Sequence, residues 1–312
     1  MKGEKMKMKA MKTALPLALV IAGLLTGCQK TAGVGDDKAA KEEATANEEA
    51  TANEEATANE EVTAKDEETP MEEGNAKNDE VTLTVFAAAS LTETLEEIGE
   101  NYSRENPGVK IVFNFDSSGT LKTQIEEGAE CDIFISAAKK QMDQLEDYID
   151  PATRKDILEN KVVLVVPEGN PKNIKSYEDM VSHFNDKDIL LVMGNEDVPV
   201  GQYTQKIFEY FGLDEEALAK DGLLTYAGNV KEVTTQVKEA AADCGVVYST
   251  DAFSANLEAV DTATEEMCGR VTYPEAVVKA SKYPEEAKAF LDYLSEDESR
   301  AVFEKVGFTS LR

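Results

Sequence analysis

Between residues 81 and 273, short apolar runs rich in β-branched residues keep returning, and stretches of helical period separate many of them. The runs are VTLTVF (81–86), VKIVFNF (109–115), DIFIS (132–136), KVVLVVP (161–167), DILLVM (188–193), GVVYS (245–249) and GRVTY (269–273). Several are near-continuous rather than alternating, as strands read when both faces of a sheet are covered. The patterns between them are helical. LTETLEEIGENYSREN places Leu91, Leu95, Ile98 and Tyr102 on one face and stops before Pro107, and LKTQIEEG, QYTQKIFEYFG and VKEVTTQVKEAA behave alike. Strands alternating with such helices specify an α/β chain with mostly parallel sheet. The 232 residues from 81 to 312 suit one large domain or two lobes.

What precedes residue 81 is different material. Five lysines against Glu4 make a basic start, and an apolar run from Ala14 to Leu25 follows, about the length of a signal-peptide core and too short to span a membrane as a mature helix. It ends in Leu25-Thr26-Gly27-Cys28, which resembles the lipobox of bacterial lipoproteins. That resemblance implies a signal peptide over 1–27 and a lipid on the sulfur of Cys28; the alternative is an ordinary signal peptide with an incidental cysteine. Residues 28–80 read as an acidic tether, in which the unit EEATAN runs three times from Glu42 to Asn59. With 17 acids, 4 lysines and no aromatic over residues 31–80, the segment has too little apolar area to offset the entropy of ordering, and its charge extends it.

The chain carries a net charge of −30. The tether accounts for −13 and the six lysines and one glutamate of the first 30 residues for +5, so residues 81–312 carry about −22. Nucleic acid is excluded as a partner, because no basic face is available to displace phosphate counterions. An acidic surface gives no long-range attraction to anions either, so any anion bound here must be captured locally.

Besides Cys28 the cysteines are Cys131, Cys244 and Cys268, with no CxxC pair, and the one histidine is His183. These do not assemble a zinc site. Cys131, beside DIFISA, reads as a small core residue. Cys244 and Cys268 are candidates for pairing outside the cell or for two free thiols, and spacing leaves that open. A Ser-His-acid enzyme would have to use His183, whose SHFND setting reads as a polar surface turn. The chain holds no G-x-S-x-G elbow, Walker loop or HExxH motif. The expectation is a protein that is not an enzyme.

The strand-to-helix turns carry the most information. They read AAAS (87–90), DSSGT (116–120), VPVGQ (198–202) and AGNV (227–230), all built of small, glycine-bearing or hydroxyl-bearing residues. Helix starts leave N–H groups unpaired at the positive end of the dipole, and several aimed at one point cradle an anion without lysine or arginine. In open α/β sheets ligands settle at the carboxyl ends of strands. Each turn also has a local explanation: Ser90 with Glu93 fits a capping box, and Ser117, Ser118 and Thr120 fit helix caps. Periodicity does not choose between cap and site.

The segments VFAAASLTETLEEI, FDSSGTLKTQIEEGAECDIFISA, NEDVPVGQYTQKIF, GNVKEVTTQV, GVVYSTDA, YPEAVV and VFEKVGF, in that order, resemble the molybdate-binding proteins of bacterial ABC transporters across essentially all of residues 81–312. The resemblance implies a type II periplasmic-binding-protein fold. Lobe 1 would take residues 81–163 and 270–312, lobe 2 residues 164–269, and the ligand the cleft between them. It implies that Ser90 and Ser118 donate hydroxyl and backbone N–H from lobe 1, that Val200 and Val230 donate backbone N–H from lobe 2, and that Tyr248 donates its phenol. Val200 stands where alanine is common, and Asp116 where a small neutral residue is expected.

The function implied is extracytoplasmic capture of molybdate or tungstate by a monomer held to the membrane through Cys28, for delivery to the permease and ATPase subunits of an importer. No cofactor is expected beyond the oxyanion itself. The alternative is a sulfate, phosphate or other tetrahedral oxyanion as ligand. Phosphate at neutral pH usually carries a proton and needs an acceptor, for which Asp116 is the nearby candidate.

Overall fold

The computed structural model describes residues 80–311, so the expectations for the signal peptide, the lipid on Cys28 and nearly all of the tether lie outside the described residues. Two sheets organise the rest. The first runs in the order β11-β4-β10-β3-β1-β2, from β1 (Val81–Ala88), β2 (Val109–Asp116), β3 (Ile133–Ile135), β4 (Lys155–Asn160), β10 (Val271–Val277) and β11 (Thr309–Ser310). The second runs β7-β6-β8-β5-β9, from β5 (Val162–Val166), β6 (Leu191–Gly194), β7 (Leu224–Ala227), β8 (Cys244–Tyr248) and β9 (Glu258–Thr262).

Helices cover them. The first lobe carries α1 (Thr92–Glu105), α2 (Ser118–Glu126), α3 (Lys139–Gln144), α10 (Pro284–Leu294) and α11 (Asp297–Lys305). The second carries α4 (Tyr177–Asp186), α5 (Pro199–Phe211), α6 (Glu215–Lys220), α7 (Val230–Lys238), α8 (Ser249–Ala255) and α9 (Glu265–Cys268).

Alternation along β1 explains the layering of the first lobe. Leu83, Val85 and Ala87 face a core shared with Leu95, Ile98 and Tyr102 of α1 and Phe290 of α10. Phe86 faces the other way, into a cluster with Leu121, Ile125 and Met142 of α2 and α3. The four residues that gave α1 its period are all buried, Leu91, Leu95 and Ile98 completely. Each such side chain stabilises the fold by roughly 1.5–3 kcal/mol on transfer from water.

The expectation of mostly parallel sheet holds where strands are linked by helices. β1 pairs parallel with β2 and β3, and β6 with β7 and β8. It does not extend to the strands beside the crossings or to the edge strands β11 and β9: β10 runs antiparallel to β3 and β4, β11 to β4, and β5 to β8 and β9. The expected lobe limit at residue 163 also shifts. Val162 and Val163 already pair with Tyr248 and Val247 in the second sheet, while Asn160 pairs with Val271 in the first, so the crossing is Lys161 alone. The return crossing runs through Gly269 and Arg270, between α9 and β10.

Cys131, Cys244 and Cys268 are free and buried, which settles the pairing question for the latter two in favour of thiols. Burial pushes the Cys244 thiol above the ordinary range, as befits a core side chain. His183 lies in the last turn of α4 with Nδ1 2.8 Å from Asp188 Oδ1, a local pairing away from the turns considered next.

Candidate functional site

Five strand ends and the turns that follow them meet at one place. β1 gives way at Ala88 to a single tight turn, Ala89–Leu91, before α1 begins. β2 ends at Asp116, Ser117 caps, and α2 opens on Ser118. From the second lobe come Val198, Pro199 and Val200 at the start of α5, Val230 opening α7, and Tyr248 at the junction of β8 with α8. Ser90, Ser118, Val200, Val230 and Tyr248, the five residues singled out from the sequence, line one cavity together with Ala88, Ala89, Asp116, Ser117, Ala137, Val198 and Pro199. Its volume is about 10 Å³, about what one water needs and far below the several hundred Å³ of sites for organic solutes.

The chemistry of the lining is donation. Ser118, Val200 and Val230 lie in first helical turns, where N–H groups have no acceptor within the helix and the dipole is positive. The Ser118 hydroxyl accepts from the Ala137 N–H at 3.0 Å, which leaves its own hydrogen free to donate. Ser90 Oγ lies 2.9 Å from Tyr273 Oη. The Tyr248 phenol is 1 % exposed, and its oxygen has no hydrogen-bond partner among the described residues. A buried hydroxyl left in that state costs roughly 1–3 kcal/mol, and a ligand oxygen in the cavity would satisfy it. Burial holds the phenols of Tyr248 and Tyr273 well above the ordinary tyrosine range, so both keep their hydrogens.

Cap and site turn out to be divided among neighbours. Ser117 is the cap of α2, its hydroxyl accepting from the Thr120 N–H at 3.0 Å and meeting Thr120 Oγ1 at 2.8 Å. Ser118, one residue on, faces the cavity. Asn229 caps α7 through the Glu232 N–H, which leaves the Val230 amide to the cavity side. The Ser90–Glu93 capping box does not form: the cap of α1 is Leu91, with no side-chain bond. Glu93 reaches Lys231 instead. Asp116 lines the cavity, and its Oδ1 accepts the Ser117 N–H at 2.7 Å.

The lobes are closed on one another. The Gly119 N–H donates across the cleft to Asp197 O at 3.1 Å, and a Cβ on Gly119 would sit 2.2 Å from that oxygen, so only glycine permits the approach. Lys231 of α7 holds both carboxylate oxygens of Glu93 of α1 at 2.7 Å, with Asp251 Oδ1 3.3 Å away on its other side. Among the described residues no lysine or arginine lines the cavity itself. A wider groove of about 720 Å³ opens beside α5, where Lys139 pairs with Asp156 and Arg270 with Glu159.

Sequence reasoning did not single out Tyr273, Asn160 or Ala137, all within hydrogen-bond reach of the expected ligand residues or of their partners. Tyr273 looked like any aromatic in a strand, and no local pattern marks a side chain that serves a residue 183 positions away.

The sequence model of the family described as bacterial extracellular solute-binding protein matches residues 83–309. The chain belongs to that family. Among relatives in this solute-binding family, YvgL of Bacillus subtilis (strain 168), named as an ABC transporter substrate-binding lipoprotein, is 36% identical over 233 residues, 74% of this chain and 87% of that one. The molybdate-binding protein ModA of Escherichia coli (strain K12) is 38% identical over 242 residues, 76% of this chain and 92% of that one. A solved structure named as the substrate-binding domain of a molybdenum ABC transporter from Clostridium difficile is 33% identical with a TM-score of 0.56, covering 74% of this chain and 100% of that one. The two-lobed α/β architecture is that of type II periplasmic binding proteins.

Proposed function

We propose that this solute-binding protein captures molybdate, and with it tungstate, outside the cytoplasm and delivers the ion to the permease and ATPase subunits of an ABC importer. One observation carries the reading: the buried, unpartnered phenol of Tyr248 meets helix-start amides from both lobes around a cavity of about 10 Å³. A dehydrated dianion needs several good donors, since burial without them is expensive. Neutral N–H and O–H groups meet that need without an opposing fixed charge that would hinder release. The molybdate-binding and ABC-transporter names of the relatives support the same ligand class.

In this reading Ser90, Ser118, Val200, Val230 and Tyr248 are the ligand set, Cys28 carries a lipid, residues 28–80 space the domain from the membrane, and the protein works as a monomer. Replacing Cys28 with Ala should release the protein from membranes, and retention of that variant would remove the anchor from the account.

Asp116 supports a second reading, since a carboxylate lining the cavity is suited to accept the hydrogen of a protonated oxyanion such as phosphate. The deciding experiment is thermal melting of protein purified free of oxyanions, with molybdate, tungstate, sulfate or phosphate in separate samples. A ligand at about a thousand times its dissociation constant adds roughly 4 kcal/mol, on the order of 10 °C for a domain of this size. Molybdate and tungstate should shift Tm by that amount at micromolar concentration. A larger shift with phosphate would move the assignment to the second reading.

A further inference from the structure

A polar chain runs from the crossing between the lobes to the hydroxyl of Ser90. Asn160, the last residue of β4, stands next to the crossing at Lys161. Its Oδ1 accepts the Lys161 N–H at 2.8 Å and the Ser249 hydroxyl at 2.9 Å. A backbone N–H can only donate, and this fixes which side of the amide is the oxygen. The Nδ2 group then faces Thr250 Oγ1 at 2.9 Å and Tyr273 Oη at 3.2 Å and donates to both.

With its oxygen already accepting, the Tyr273 phenol turns its one hydrogen to its remaining neighbour, Ser90 Oγ, at 2.9 Å. Tyr273 is 0 % exposed, Ser90 5 % and Asn160 9 %, so the reverse orientation would leave a phenol hydrogen buried against nothing. Ser90 Oγ has no further partner among the described residues, and its own hydrogen is left to point into the cavity it lines.

Resting on the oxyanion reading of the site, we infer that Asn160 and Tyr273 are positioning residues that commit the Ser90 hydroxyl to donation toward the bound anion. The orientation is set before the ligand arrives, and the same amide ties it to Ser249 and Thr250 of the opposite lobe.

The test is a double-mutant cycle on the full chain, read by calorimetry at neutral pH with molybdate, tungstate, sulfate and phosphate as probes. Tyr273→Phe keeps the ring and removes the hydrogen; it should weaken binding of the preferred anion by about three- to tenfold. Because Tyr273 acts through Ser90, adding Tyr273→Phe to Ser90→Ala should change affinity by less than about twofold. An undiminished loss in the Ser90→Ala background overturns the inference and makes Tyr273 a packing residue. So does a Tyr273→Phe variant that binds as tightly as the unaltered protein. Asn160→Ala, which removes the donor at the other end, is carried through the same cycle and decides the matter should Tyr273→Phe fail to fold. Unaltered protein that binds none of the four anions sinks the oxyanion reading, and the inference with it; binding without coupling in the cycle sinks the inference alone.

Discussion

Lys231 holds both carboxylate oxygens of Glu93 at 2.7 Å, and so joins the first turn of α7 in one lobe to the first turn of α1 in the other. The pair is partly exposed, and such pairs contribute at most about 1 kcal/mol. Its position gives it leverage, because it spans the cleft one residue from Val230 and three from Ser90. Glu93→Gln should speed release of the bound anion and lower affinity by up to about fivefold at low salt, with the difference fading as salt screens the pair. Stopped-flow release at low and high ionic strength checks this. Identical release rates at low salt would show that the pair does not hold the lobes.

Gly119 permits an interlobe contact that no other residue allows, with Asp197 O 2.2 Å from where a Cβ would stand. Gly119→Ala lies within α2, where alanine is the better helix former. The free protein should therefore melt at the same temperature or slightly higher, while anion affinity falls by roughly tenfold or more because closure is obstructed. A variant with unchanged affinity would mean that the loop at Asp197 yields freely.

Tyr248 and Val200 should respond in opposite ways. Tyr248→Phe deletes a hydrogen bond to a charged ligand, about 1.5–3 kcal/mol or ten- to a hundredfold in affinity, while the ligand-free protein, relieved of an unpartnered buried hydroxyl, should melt somewhat higher. Val200→Ala keeps the amide, so affinity should hold. Its side chain is fully buried, however, and the fold should lose roughly 1–3 kcal/mol. Calorimetry and urea melts on both variants separate the roles, and matching profiles would refute them.

Glu275 on β10 is fully buried, with Lys155 Nζ 3.2 Å from its Oε1. Burial pushes its carboxyl up to about 8, with Lys155 opposing, from an ordinary value of 4.5. The folded chain then keeps a proton that the unfolded chain releases, so the contribution of Glu275 to stability is greatest at low pH and falls as pH rises from about 4.5 to about 8. Urea midpoints at about pH 5 and about pH 8 should differ by an amount on the order of a few kcal/mol in the unaltered protein, and Glu275→Gln should remove most of the difference. An unchanged slope in the variant would place it elsewhere, for example on Asp251, whose carboxyl burial raises to about 6.

The strands that could be read from sequence are mainly those buried on both faces: β3, β5, β6 and β8 are buried at every residue. Those that escaped carry no such signal. β9, EAVDT, is an edge strand with no buried residue, β4 mixes Lys155, Asp156 and Glu159 with its apolar positions, and β7 and β11 are four and two residues long. Antiparallel pairing of the crossing strands was hidden because it depends on contacts between segments 80 or more residues apart. At the site, local chemistry could not tell Ser117 from Ser118, since both are good caps; only the fold decides which one meets Ala137.

The lobes are joined by one residue at Lys161 and by two at Gly269 and Arg270. Links this short leave no slack for sliding, so relative motion reduces to rotation about a line through them. Asn160 stands on that line and reaches Ser90 through Tyr273 alone, which seats the ligand at the short arm of a lever. The outer rims of both lobes are the long arm and travel farthest for any change in the cavity. On the proposed reading, an ion held between the lobes would in this way be displayed as outline, legible to another protein that touches only the perimeter.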